Sequence, residues 1–399
     1  MGKDVSIVKR LIGIAFIIML SVWYIKSDSN TAAVSMINYL RQDNYNIERA
    51  VSIDSIESGF NTVLWKQRDL IDINGLMAKT LNMHGYYSNL GMYITNNDYI
   101  VTSSIKTTTD YEYEQTVDFR DYLETNGVQL LYINEPTKYD DDSLFRDSFG
   151  VESYSNRNID LFLRRIREAG VNTIDLRDNI HQEGLEVSKL FYRTDHHWTT
   201  PAGLWATRIM ADGLNRYCGY SIDLSIYDQD NYEFKTYTNC WLGEQGRKVA
   251  ATYVGLDDYT EVKPKFETSY IFKNADGTTY DGTFDSFINE EIYNTENNVY
   301  ENGSWHYSYS RIDCINNRAE TGKILIIGDS YDHVTQCFLS LGVHEVDSLI
   351  RRDYDDTFSL RNFIINNDYD TVIIAYAQFM VGAHDSPSSA NYRMFSFDH

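Results

Sequence analysis

Asp195, His196, His197 and Trp198 stand in a row in the stretch YRTDHHWTTPAG, residues 192–203, just ahead of a helix start. Such residues serve a metal site, the acid and base of a proton-relay triad, or a polar loop entering a helix. Asp195 and His197 are two apart. On an extended loop positions i and i+2 face the same way, so Asp195 can hold the His197 imidazole while His196 faces the other side. A metal needs converging side chains, whereas adjacent histidines diverge, and no HExxH or second His pair lies nearby. His306, His344 and His384 stand alone in the sequence.

A histidine held by a carboxylate is a base in search of a nucleophile. The stretch LIIGDSYDH, residues 325–333, supplies one. An apolar run ends at Gly328, Asp329 and Ser330 follow, and a helical pattern begins. That order lifts the Ser330 hydroxyl above the carboxyl edge of a parallel sheet, where α/β proteins carry their sites. The helix start behind it aims N–H groups at an oxyanion formed there. A GDS tripeptide alone fits a helix cap equally well. His333, at the helix start, reads as facing solvent.

These motifs need strands and helices to position them. VQLLYIN (128–134), VNTIDL (171–176), KILII (323–327) and YDTVIIAYA (369–377) are apolar runs of strand length, and a strand also starts near Tyr99. Helical spacing runs over 113–125, over 158–170 with a stop at Gly170, from a Thr200 cap with Pro201 in the first turn to about 217, and over 331–342. Alternating strands and helices predict an α/β fold with a mostly parallel sheet between helical layers. Residues 255–312 differ: they are rich in Asn, Asp, Gly and Tyr, with DG turn signals, and read as a β-rich excursion from that body.

The 399 residues carry 58 acidic against 35 basic side chains, a net charge of −23 that argues against nucleic acid. The 32 Tyr fit a surface that meets sugars by stacking. An apolar run over residues 11–25 is preceded by Lys3, Lys9 and Arg10 and closed by Lys26. It reads as a signal anchor rather than a cleaved signal peptide, with residues 1–10 cytoplasmic and the remainder outside. Residues 26–90 then form a stalk and lead-in helices, and 91–399 a catalytic domain. Cys218, Cys240, Cys314 and Cys337 suit two extracellular disulfides or four free thiols, without CxxC spacing.

DHHW followed downstream by GDSY resembles the SGNH-type O-acetyltransferases related to the alginate acetylation proteins, in particular the group named for its DHHW signature. The resemblance spans roughly residues 95–380. It takes in YINEPTKY with Pro136, Thr137 and Lys138, the segment WLGEQGRKV, and the final strand VIIAY. It implies an SGNH-hydrolase-like three-layer α/β/α fold, with catalytic Asp195, His197 and Ser330. Gly243, Gly246, Arg247 and Tyr376 become candidates for the oxyanion hole or the substrate border. No cofactor or metal is implied. The partners implied are a polytopic membrane-bound O-acyltransferase as acetyl donor and a polysaccharide acceptor. An extracytoplasmic O-acetyltransferase at the cell membrane is the leading expectation. A carbohydrate acetylesterase using the same residues, and a non-catalytic scaffold of a polysaccharide-export complex, stand beside it.

Overall fold

The structure is a computed structural model that describes residues 67–274, 276–288, 313–355, 357–382 and 390–397. The expected anchor at 11–25 and most of the stalk lie outside the described residues, as does 289–312 of the excursion. Among the described residues no helix is long and apolar enough to cross a membrane. The chain divides into two compact units, Met1–Asn74 and Gly75–His399; the second carries everything that follows.

An eight-stranded sheet runs through it. In chain order the strands of the body are β1 (Met92–Ile94), β2 (Ile100–Thr102), β3 (Gln129–Glu135), β4 (Asn172–Asp175), β5 (Tyr232–Trp241) and β6 (Asp257–Pro264). They continue with β7 (Tyr270–Lys273), β8 (Thr279–Gly282), β9 (Asp313–Asn316), β10 (Lys323–Ile327), β11 (Glu345–Leu349) and β12 (Thr371–Ala377). The large sheet has the order β4-β3-β12-β10-β11-β9-β7-β8, while β1 with β2 and β5 with β6 form two-stranded ribbons. Strands β4 to β11 in that order are parallel. β9, β7 and β8 join antiparallel.

The expected parallel sheet holds from β4 to β11, and the β-rich excursion adds antiparallel strands to the same sheet. The sheet is mixed: antiparallel β9 covers what would be a bare β11 edge, and β7 and β8 from the excursion extend the sheet beyond β9. β6 of that segment lies outside the large sheet and pairs with β5.

Strands as apolar as LLYIN and TVIIAYA must be covered on both faces. Tyr132 and Leu131 are neighbours on β3 and point to opposite faces. Tyr132 meets Phe162 ring to ring at 5.2 Å. On the other face Gly213 comes so close that a Cβ there would sit 2.1 Å from Ile174 Cδ1 and 3.5 Å from Leu131 Cδ2. The helices concerned are α1 (Ser155–Glu168), bearing Phe162, and α2 (Thr200–Tyr217), bearing Gly213. Helices therefore flank the sheet in three layers. The α2 cap lies one residue before the one expected at Thr200: Thr199 is the cap, its side chain accepting from the Ala202 N–H at 3.4 Å.

At the carboxyl edge of the parallel strands, β3 ends at Glu135, β12 at Ala377 and β10 at Ile327. Beyond β10 the chain turns through Gly328–Tyr331 into α3 (Asp332–Leu339).

Candidate active site

The turn after β10 presents Ser330, and sequence-distant His197 meets it there. His197 Nε2 lies 2.6 Å from Ser330 Oγ, across 133 residues of chain. His197 Nδ1 lies 2.5 Å from Asp195 Oδ1. With Oδ1 as acceptor, the proton sits on Nδ1 and Nε2 is free to accept from the serine. Asp195 and His197 are buried. The turn itself is pinned on several sides. Gly328 N–H donates to Leu349 O at 3.0 Å. Asp329 accepts from the Tyr331 and Ala377 N–H groups, each at 2.8 Å. A Cβ on Gly328 would fall 2.2 Å from Asp332 Oδ2, so only glycine fits. The Ser330 N–H has no acceptor among the described residues, leaving a donor beside its own hydroxyl.

Asp195 is held on its far side by a segment that only the family resemblance brings to notice. Helix α4 (Glu244–Val249) starts here. The Glu244 N–H donates to Asp195 Oδ2 at 2.6 Å, and the Gly243 N–H to Thr194 Oγ1 at 2.8 Å. Gly246 N–H donates to Thr194 O at 2.7 Å. Asp257 at the start of β6 takes the Arg193 and Thr194 N–H groups at 3.1 and 2.9 Å and the Thr194 hydroxyl at 2.6 Å. No local pattern announces Asp257, because its partners lie more than sixty residues upstream.

Two bonds tie the DHHW loop to the serine turn. Trp198 Nε1 donates to Tyr331 O at 3.0 Å. Tyr331 hydroxyl donates to His196 O at 2.5 Å. The tryptophan of the signature is thus a strut, buried among apolar neighbours.

Several sequence expectations change here. His196 does not face away. The loop bends rather than running extended, so the His196 ring lies 3.9 Å from that of His197, centroid to centroid, with Nδ1 3.4 Å from Asp195 Oδ1. Asp195, His196 and His197 could converge on a cation, but both His197 nitrogens are already taken by Asp195 and Ser330. Tyr376 is not at a substrate border: fully buried, it donates to Met394 O at 2.6 Å inside the core. Gly246 is a packing glycine, its missing Cβ only 2.7 Å from Thr194 Cβ, and its N–H is spent on that residue. Arg247 is half-buried on α4, and its side chain makes no hydrogen bond or ion pair among the described residues. His333 does not face solvent; both ring nitrogens are buried without a hydrogen-bond partner among the described residues. The four cysteines are all free thiols.

Electrostatics follow burial. Burial would raise the Asp195 carboxyl, but His197 and then His196 outweigh it and hold it well below the usual range. Burial, then the charge of His197, pulls His196 down to about 4. His333 is likewise pulled down to about 4 by burial and then His197. Lys138, from the YINEPTKY loop, is buried and donates to Ile100 O at 2.8 Å, Arg193 O at 3.1 Å and Gln245 Oε1 at 3.3 Å. Burial lowers it to about 7 against the pull of Asp195 and Asp257.

A cavity of about 570 Å³ adjoins these residues, lined in part by Lys138, His196, Glu244, Lys248, Tyr331 and Phe379. It has the size and the aromatic wall of a small-ligand cleft.

Residues 93–267 match the sequence family described as SGNH hydrolase-like domain, acetyltransferase AlgX. That stretch holds the DHHW loop and the Asp195 supports but stops short of Ser330. No curated protein matches the chain in sequence. Among solved structures, Bacillus cereus PatB1 with a sulfonyl adduct superposes with TM-score 0.59 at 18% identity, covering 77% of this chain and 97% of that one. A DHHW family protein from Eubacterium siraeum gives TM-score 0.55 at 14% identity, covering 77% and 95%. The O-acetyltransferase domain of Pseudomonas putida AlgJ superposes more loosely, with TM-score 0.44 at 14% identity over 75% and 94% of the two chains. Residues 93–267 thus resemble the SGNH hydrolase-like domain of the acetyltransferase AlgX family, and the chain shares the fold of PatB1 and of the DHHW family protein.

Proposed function

We propose that the chain is an extracytoplasmic O-acetyltransferase that acetylates a cell-surface or exported polysaccharide through an acyl-enzyme on Ser330. One observation carries this reading: Asp195, His197 and Ser330 form an unbroken hydrogen-bonded line at the carboxyl edge of the sheet. His197 Nε2 takes the Ser330 proton as Oγ attacks the acetyl carbonyl. The Ser330 N–H, without an acceptor among the described residues, is the oxyanion donor in this reading. Collapse expels the donor group, which leaves with the proton from His197, and acetyl remains on Oγ. A sugar hydroxyl then enters, gives its proton to His197 and attacks the acyl-enzyme, forming the sugar ester and restoring Ser330.

The cavity beside His196 and Tyr331 is the place for the sugar ring, with Phe379 as a stacking wall. An acetyl donor outside the cell has to be relayed across the membrane, which is the role of a polytopic membrane-bound O-acyltransferase partner. Residues 11–25 would tether the chain beside it. PatB1 carries a sulfonyl adduct, and the same class of reagent tests this site. An arylsulfonyl fluoride should modify Ser330 in the wild type and leave His197→Ala unmodified. Labelling spread over several serines, or unchanged in His197→Ala, would overturn the proposal.

A further inference from the structure

Behind Ser330 lies a second group of acids that the mechanism does not use. Glu135 ends β3, Asp329 precedes Ser330 in the turn, and Asp332 opens α3. One carboxyl oxygen from each lies within 4.8 Å of the others, and all three residues are buried. Two of them are supplied with donors. Asp329 accepts the Tyr331 and Ala377 amides. Asp332 accepts the Asp329 amide at 3.2 Å and the Thr335 hydroxyl at 3.0 Å. Glu135 has neither: no donor reaches either of its oxygens among the described residues. No basic side chain forms an ion pair with any of the three among the described residues. Three negative charges this close in a dry interior are not sustainable, and the group without donors is the one that takes up a proton.

We propose that Glu135 is a neutral carboxylic acid that donates its proton to the Asp332 carboxylate, and that this bond locks the Gly328–Asp332 turn so that the Ser330 hydroxyl meets His197. Burial first, then Asp332 and Asp329, push the Glu135 carboxyl well above the usual range. Asp332 is pushed up as well, by burial and then Asp329, but its two donors make it the charged member. The other titratable groups around the pair include Tyr132 on β3, whose buried hydroxyl has no partner among the described residues, Tyr331, and Tyr376 on β12, which also faces Arg351. Beyond them stand Glu112 and Asp175 toward Tyr132, and His197 and Arg352 toward Asp329. None is a cation within ion-pair distance of Glu135. Glu135 is thus a positioning residue, and its effect on Ser330 rests on the proposed acyl-transfer reading, whereas its protonation does not.

The test uses the full chain and two independent readouts. Infrared difference spectra between wild type and Glu135→Gln at pH 7 should show a protonated-carboxyl C=O band present only in the wild type. The rate of Ser330 modification by an arylsulfonyl fluoride should stay within about threefold in Glu135→Gln, which keeps a donor and the shape. It should fall about tenfold or more in Glu135→Leu, which keeps neither donor nor acceptor. Thermal unfolding checks that both variants fold. With alkali the wild type should lose labelling as Glu135 ionises, whereas Glu135→Gln should keep its rate. A spectrum with carboxylate bands only, or a Gln variant as slow as Leu, overturns the proposal; chelator-sensitive labelling with carboxylate bands would do so in favour of a bound cation. If no serine labels but the infrared band is present, the acyl-transfer reading fails and the protonated Glu135 stands.

Discussion

The Glu244 backbone N–H holds the oxygen of Asp195 that His197 does not, 2.6 Å from Oδ2. The Asp195 carboxylate is therefore held on both oxygens, by His197 on Oδ1 and by the start of α4 on Oδ2, and the second contact is set by Gly243. A Cβ at Gly243 would lie 2.3 Å from Asp195 Cβ and 2.7 Å from Thr194 O. Gly243→Ala should displace Asp195, lowering sulfonyl labelling of Ser330 by about tenfold or more, with about 1–3 kcal/mol of overpacking cost in stability. Rates and unfolding midpoints measured together check this.

Asp195→Asn keeps the shape but favours the wrong tautomer of His197. It should reduce acyl transfer by about 10²–10⁴-fold while changing thermal stability much less. A rate within about threefold of wild type would remove Asp195 from the chemistry.

Trp198→Phe deletes one donor, the indole N–H on Tyr331 O, and leaves a small cavity where the larger ring was buried. The expected cost is about 1–3 kcal/mol from the unsatisfied carbonyl, with a several-fold slower Ser330 reaction because the DHHW loop and the serine turn lose a strut. Both are read from chemical denaturation and labelling kinetics.

His196 and His333 bear on acid stability. Each is lowered to about 4 from an unfolded value near 6.5, so between those pH values the unfolded chain binds more protons than the folded one. Stability is fully present above about pH 6.5 and is lost as pH falls toward 4. His333→Phe should flatten that loss by up to about 3 kcal/mol, since each tenfold change in proton affinity is worth about 1.4 kcal/mol. Unfolding free energies at pH 4, 5.5 and 7 decide it.

The cysteines give a simple check on covalent structure. All four are free, so denatured protein purified without reductant should take up four alkyl groups, the same number as protein treated with reductant first.

Much of this arrangement is legible in the residues themselves. The apolar runs mark β3, β10 and β12 to within one or two residues, because strands buried on both faces leave an uninterrupted apolar signal, and the edge strand β4 falls within one residue of VNTIDL. The pairing of Asp195, His197 and Ser330 follows from residue type and from the strand-turn-helix around GDS. What escapes is long-range. The Asp257 carboxylate takes two distant backbone amides and the Thr194 hydroxyl, and the Glu244 amide is a group that any residue offers, so no local pattern announces either. Tyr376 reads as a substrate-border residue at a strand end, but one residue from the end of a buried strand its hydroxyl still points into the core. The placement of His196 fails for a local reason: alternation holds only on extended backbone, and residues 193–197 bend. The sheet's mixed character is hidden because β7 and β8 are short and polar enough to read as a surface excursion.

The most direct test of acyl transfer through Ser330 follows the acyl group itself. Incubate the protein with a small activated acetyl ester, map the modified peptide by mass spectrometry, then add an oligosaccharide acceptor. One acetyl group is expected on Ser330, absent in Ser330→Ala and His197→Ala, that leaves the protein and appears on the sugar. No adduct on Ser330, or sugar acetylation that persists in Ser330→Ala, would contradict it.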